Sequence, residues 1–210
     1  MATRTKTGLL LPLVLVTGAV AYFGSSEVTD TLGSLFSSDP VIVGAGDVQV
    51  MVAGGAESRV EQCTAEQVLK EKRCGDVKVI ILSAAKMPYI TRNISLAWSE
   101  GRDFILTKDG KNRAANYNRT CRKTFVKKYN DGSCDEYEFA SSVQGGKGAR
   151  TEEVPAREQA CQGGTLSTSY RYQGINDGDD FLVVISDPGK IASAPYQGQD
   201  VAEDKTSCGN

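Results

Sequence analysis

The sequence contains no histidine, a single tryptophan and no Cys-x-x-Cys pair. Without imidazole, any acid–base chemistry must run on carboxylates, and the metal-free ribonuclease mechanism built on imidazole pairs has no carriers. A zinc centre lacks both its paired thiolates and its histidines. No internal repeat is visible. The formal charge of −2 does not advertise a nucleic-acid binder, and removing Arg4 and Lys6 with a leader leaves 22 basic against 26 acidic residues.

What is present begins at the amino terminus. Arg4 and Lys6 precede the apolar run Gly8 to Val16 and then Ala19-Val20-Ala21, the small-x-small pattern of a signal-peptidase site. Residues 1–21 are therefore expected to be a signal peptide cleaved after Ala21, with no stable membrane association afterwards. The competing reading is an uncleaved anchor, since Tyr22 and Phe23 continue the apolar character; Pro12, Thr17 and Gly18 weaken a stretch already short of the roughly 20 residues a span needs. Residues 22–40 read as a linker, and 41–210 as one domain. Six cysteines lie in the exported part: Cys63, Cys74, Cys121, Cys134, Cys161 and Cys208. They imply an oxidising, extracellular compartment and up to three disulfides, for which sequence alone allows about 15 connectivities. Short loops favour Cys63–Cys74 and Cys121–Cys134, which leaves Cys161–Cys208 to pin the tail. Asn93-Ile94-Ser95 and Asn118-Arg119-Thr120 are glycosylation sequons, meaningful in a eukaryotic source.

Residues 100–128 hold nine basic against three acidic groups, a stripe suited to tracking phosphate or, equally, a solvated helix face. Val41 to Val52 is expected as a first strand, Thr64 to Lys72 as a helix, Val77 to Leu82 as a buried strand, and Pro88 as the start of a helix with Ile90, Ile94, Leu96, Ala97 and Trp98 on its apolar face. Trp98 is read as helix core. Phe104 to Thr107 is a short strand, 112–128 a helix, Gly145-Gly146 and Gly148 a turn, Thr165 to Tyr172 a short helix, and Phe181 to Ile185 the last strand. Asp177-Gly178-Asp179-Asp180 is a turn before that strand, lacking the length and terminal glutamate of an EF-hand. Beyond Pro188 the polar tail is expected to be held through Cys208. The fold class is α+β, with a small, mostly antiparallel sheet, flanking helices and disulfide staples.

Cys134-Asp135-Glu136-Tyr137-Glu138-Phe139-Ala140, ending in Gly145-Gly146, resembles the core motif of the NucA/NucB family of secreted deoxyribonucleases. Val154-Pro155-Ala156-Arg157-Glu158-Gln159-Ala160-Cys161-Gln162-Gly163-Gly164 and Ile175 to Ile185 resemble the next two blocks in the same order. The resemblance spans about 88–186.

It implies a secreted endonuclease that hydrolyses extracellular DNA with Mg²⁺ or Mn²⁺. Asp135 falls on the motif aspartate and is expected to be the general base, with Glu136 beside it as a like charge that raises its pKa. Glu158 and Gln159 are expected metal ligands. Arg157, Asn118, Arg119 and Gln144 are expected at substrate phosphates. Gln162-Gly163-Gly164 would let backbone approach the substrate ahead of a helix start at Thr165. Two departures stand out: Glu138 where relatives carry proline, and Gln144 where some carry glutamate. They keep open a catalytically inactive, disulfide-stapled binding protein of the same fold. A ribonuclease and a toxin domain with an inhibitor or immunity protein as partner are further readings.

Overall fold

The computed structural model describes residues 39–46, 48–60, 62–206 and 208, with backbone alone at 58 and 59. The expected signal peptide and nearly all of the linker lie outside the described residues. In chain order the elements are β1 (Val41–Ala45), β2 (Val48–Val52), α1 (Glu57–Val60), α2 (Ala65–Glu71), β3 (Arg73–Cys74), β4 (Val77–Ser83), α3 (Pro88–Ser99), β5 (Ile105–Thr107), α4 (Arg113–Tyr117), β6 (Gly132–Tyr137), β7 (Arg150–Pro155), α5 (Ala156–Tyr172) and β8 (Asp180–Ser186). These described elements belong to one compact unit, Ser38–Asn210.

The core is built on β4 and β8. Both are runs of branched and aromatic residues without alternation, the pattern of strands covered on both faces. Val79, Ile80, Leu82 and Phe181 to Ile185 have no exposed surface. The two strands pair in parallel from Lys78↔Phe181 to Ser83↔Ser186, whereas β2, β5 and β3 join them antiparallel, giving the order β1-β2-β8-β4-β3 with β5 also on β8. The α+β class is as expected, but the sheet is mixed, with its longest pairing parallel. A parallel pair needs a crossover, and here the crossover is the whole stretch from α3 to α5, which carries the candidate site. Sequence periodicity does not reveal which strands such a long excursion brings together.

The stretch 41–52, expected as one strand, is a hairpin. Gly44 (φ 96°) and Gly46 (φ 59°) turn the chain back on itself, and a Cβ at Gly44 would lie 2.2 Å from the Val48 carbonyl oxygen. Helix α2 opens on a capping box: Thr64 Oγ1 accepts from Gln67 N, and Gln67 Oε1 accepts from Thr64 N. The helix expected over 112–128 is α4 followed by a π-helical turn, Asn118–Arg122, with helical backbone ending at Thr124.

Two further differences concern the carboxy-terminal half. Helix α5 starts at Ala156 and runs through Gly163 and Gly164, which were expected to form a loop ahead of a helix beginning at Thr165. Its buried residues, Glu158, Cys161, Gln162 and Leu166, fall at helical spacing, but two of the four are polar, so the sequence shows no continuous apolar stripe there. The tail is held by far more than Cys208. Tyr196 is buried, with its ring edge-on to Tyr89 and Tyr129, each 5.3 Å away, and its hydroxyl donates to Asp131. Tyr89 Oη donates to the Gln199 carbonyl, Asp204 N to the Ala85 carbonyl, and Arg157 grips Asp200. The disulfides are Cys63–Cys74, Cys121–Cys134 and Cys161–Cys208, the expected pairs.

Candidate active site

The site forms where the β6–β7 hairpin meets α3 and α5. Side chains alternate across a strand, so Asp135 and Glu136, adjacent in β6, enter different surroundings. Asp135 points into the protein and has no exposed surface. Its Oδ2 accepts from Asn93 Nδ2 of α3 at 2.8 Å, and its Oδ1 accepts from Gln162 Nε2 of α5 at 2.9 Å. Burial pushes its carboxyl up to about 6; the two amide donors oppose this, and Glu152, its cross-strand neighbour, adds to it.

Glu136 takes the other face and lines a cleft of about 280 Å³ with Lys108, Arg113, Ser141, Gln159, Gln162 and Tyr170. Burial first, and the Asp135 charge second, raise its carboxyl to about 8, while Arg113 pulls it down. Glu136 Oε2 lies 3.1 Å from Cys121 Sγ, but that sulfur is in a disulfide and has no proton to donate. For the same reason the grouping of Cys121, Cys134 and Glu136 within 4.8 Å offers no thiolate to a metal. The disulfide instead ties β6 to the π turn directly beneath the carboxylate.

The loop from β6 to β7 supplies the cleft wall. Asn116 of α4 is buried and donates to the carbonyls of Ala140 and Ser142, and Ser141 O accepts from Asp109 N. A Cβ at Gly145 would sit 2.1 Å from the Phe139 carbonyl oxygen, so this return of the loop requires glycine. Lys108 stands over the Tyr170 ring, 5.1 Å from its centroid.

Other residues singled out in the sequence are placed as follows. Gln159 lines the cleft, and its Oε1 is buried without a hydrogen-bond partner. Glu158 is fully buried and does not line the cleft. Its Oε2 accepts from Tyr89 N and Ile90 N, capping the amino terminus of α3, where Met87 offers no side-chain cap. Burial raises its carboxyl to about 8 against the pull of those two N–H groups. Arg157 turns away toward the tail, its Nε and Nη2 on the Asp200 carboxylate and Nη2 also on the Lys86 carbonyl. Gln144 Oε1 accepts from Thr107 N. Arg119 reaches Asn116 Oδ1, and neither Arg119 nor Asn118 lines the cleft. Glu138 pairs with Arg102 at 3.5 Å, so the extra charge relative to the family motif is neutralised away from the cleft.

Sequence reasoning missed Asn93 and Gln162. Asn93 was read as a sequon, yet it is fully buried and unavailable to a glycan. The signal for it was an amide one helical turn from Ile90 and Ala97 on an apolar face, because a buried amide demands partners. Gln162 was concealed by the loop assigned to Gly163-Gly164. Of the basic stripe, Lys108 and Arg113 reach the cleft.

For a divalent cation, the cleft offers the Glu136 carboxylate and the orphaned Gln159 Oε1, both hard oxygen donors of the kind Mg²⁺ and Mn²⁺ take. Magnesium commonly needs only one or two protein groups, the rest being water and phosphate, so this donor set fits. Glu158 does not line this cleft: its Oε2 is committed to the start of α3, and its Oε1 is buried without a hydrogen-bond partner.

No curated protein matches the chain. Residues 97–184, which run from the end of α3 into β8 and contain Asp135, Glu136 and all of α5, match the family model of Deoxyribonuclease NucA/NucB, and over this stretch the chain is similar to that family.

Proposed function

We propose that the protein is a secreted, metal-dependent endonuclease that hydrolyses phosphodiester bonds of extracellular DNA with little sequence preference. The observation that carries this reading is the splitting of one carboxylate pair across β6, with Glu136 in a cleft that also presents Lys108 and Arg113, and Asp135 clamped behind it. Three disulfides suit an oxidising compartment. Among the described residues, no helix is long and apolar enough to cross a membrane.

In this mechanism Lys108 and Arg113 draw a backbone phosphate into the cleft; such contacts carry no base information, hence the weak sequence preference. Glu136 and Gln159 would hold Mg²⁺ or Mn²⁺, which supplies Lewis-acid neutralisation of charge on the phosphate. Asp135, ionised above about pH 6, is the base. Gln162 occupies Asp135 Oδ1 in the free protein and lines the cleft. The attacking water takes that position when phosphate binds, its oxygen bonds to phosphorus as Asp135 accepts its proton, and the P–O bond to the leaving group breaks, the departing oxygen taking a proton from a solvent water. Glu138 and Gln144, the two departures from the family pattern, hold Arg102 and Thr107 and do not enter the cleft, which supports an active enzyme over an inactive binding protein.

The test is supercoiled plasmid incubated with the fully oxidised protein. Relaxed circles should form with Mg²⁺ or Mn²⁺ and none with chelator. No cleavage with any divalent metal would favour the binding-protein reading, and RNA cleavage surviving chelator would favour a ribonuclease.

A further inference from the structure

We propose that Asn93, with its amide locked by Arg150, is the residue that positions Asp135. Its role in a reaction rests on the nuclease reading; the clamp itself does not. Asn93 lies before the stretch 97–184 that matches the family, so α3 contributes it from outside that stretch.

A primary amide can present either its NH₂ or its oxygen to a neighbour. At Asn93 the choice is made from behind: Oδ1 accepts from Arg150 Nη1, leaving Nδ2 to face Asp135. Arg150 is itself held in place. Its Nε donates to Glu100 Oε1 at 2.9 Å and its Nη2 to Glu152 Oε1 at 2.9 Å, and Arg92 pairs with the same Glu152 oxygen. Glu152 lies directly across the β6–β7 ladder from Asp135, so Arg150 reads the same strand register through two routes.

The two amides on Asp135 are thus unequal. Gln162 Oε1 has only Gln159 Nε2, at 3.4 Å, and can turn. Asn93 cannot turn without stripping Arg150 of an acceptor. It is the fixed half of the clamp, and Gln162 is the half that yields to water. A reacting group held within a fraction of an ångström is what distinguishes a productive carboxylate from one merely present.

Asn93→Asp changes one nitrogen to oxygen. It retains the acceptor for Arg150 and sets a carboxylate against Asp135. We expect kcat for plasmid nicking to fall at least about tenfold with KM within about twofold, because Lys108 and Arg113 are untouched. Arg150→Met, which frees the Asn93 amide to turn, should fall less, and the double variant should be no slower than Asn93→Asp alone. Unchanged kcat in a folded Asn93→Asp protein overturns the proposal. Should that variant not fold, side-chain amide NMR on the full chain decides: the Asn93 NH₂ should exchange slowly and shift in Asp135→Asn. An Asn93 amide that exchanges like an exposed one overturns the clamp. A slowly exchanging Asn93 amide in a wild-type protein that cleaves nothing would uphold the clamp and remove the nuclease reading instead.

Discussion

Asp135→Asn should lower plasmid cleavage by about 10²- to 10⁴-fold, the range that general acid–base groups contribute, while the protein still folds. The hydrogen bonds explain why folding survives. Asn93 is locked as a donor, so the new amide would turn its oxygen toward Asn93 and its NH₂ toward Gln162. Gln162, held by a single 3.4 Å contact, can rotate to present its own oxygen. Both positions are then satisfied, and the loss of activity reports the missing carboxylate rather than an unpaired buried group. The check is the cleavage rate measured beside the thermal midpoint. A variant that folds and cleaves at the wild-type rate would remove Asp135 from the chemistry.

The second large effect is on stability. Asp135, Glu136 and Glu158 have carboxyls raised in the folded state, from 3.8 to about 6 for Asp135 and from 4.5 to about 8 for the two glutamates. Between the ordinary carboxylate range and these raised values, the folded chain binds more protons than the unfolded chain, so stability falls as pH rises. Each such group costs up to about 1.4 kcal/mol per pH unit within its window. In chelator, the thermal midpoint should therefore be higher near pH 5 than near pH 8. Glu136→Gln should remove part of that slope, and Mg²⁺ at pH 8 should restore stability by favouring ionised Glu136. Asp177, Asp179, Asp200 and Asp204 have lowered carboxyls and act in the opposite sense, losing their contribution as the pH falls below the carboxylate range. Midpoints that are flat or rising from pH 5 to 8 would contradict this.

Features of the molecule set by neighbouring residues were legible in the sequence. The runs of β4 and β8, the Pro88 start of α3 and the carboxylate pair beside Cys134 depend on local pattern, and the short Cys63–Cys74 and Cys121–Cys134 loops favoured their own closure. Features that depend on distant partners were not. Glu158 reads as a free acidic side chain until α3 is placed over it, when it becomes that helix's cap. Arg157 looks suited to phosphate until the tail returns Asp200 to it. Gly163-Gly164 suggests a break because two glycines weaken a helix, but α5 is held on both sides of them by Glu158, Cys161, Gln162 and Leu166. The opposed faces of Asp135 and Glu136 follow from strand alternation alone, yet which face was cleft and which was interior depended on α3 and α5.

The proposed phosphodiester cleavage takes place in the cleft at Glu136. It is tested most directly by Glu136→Gln, assayed for plasmid nicking beside the wild-type protein across a Mg²⁺ titration, with an isosteric side chain that keeps the cleft's shape. Metal-dependent nicking is expected of the wild type, and in the variant a loss of about 10²-fold or more that added Mg²⁺ does not fully recover. Equal nicking by both proteins at every Mg²⁺ concentration would contradict it.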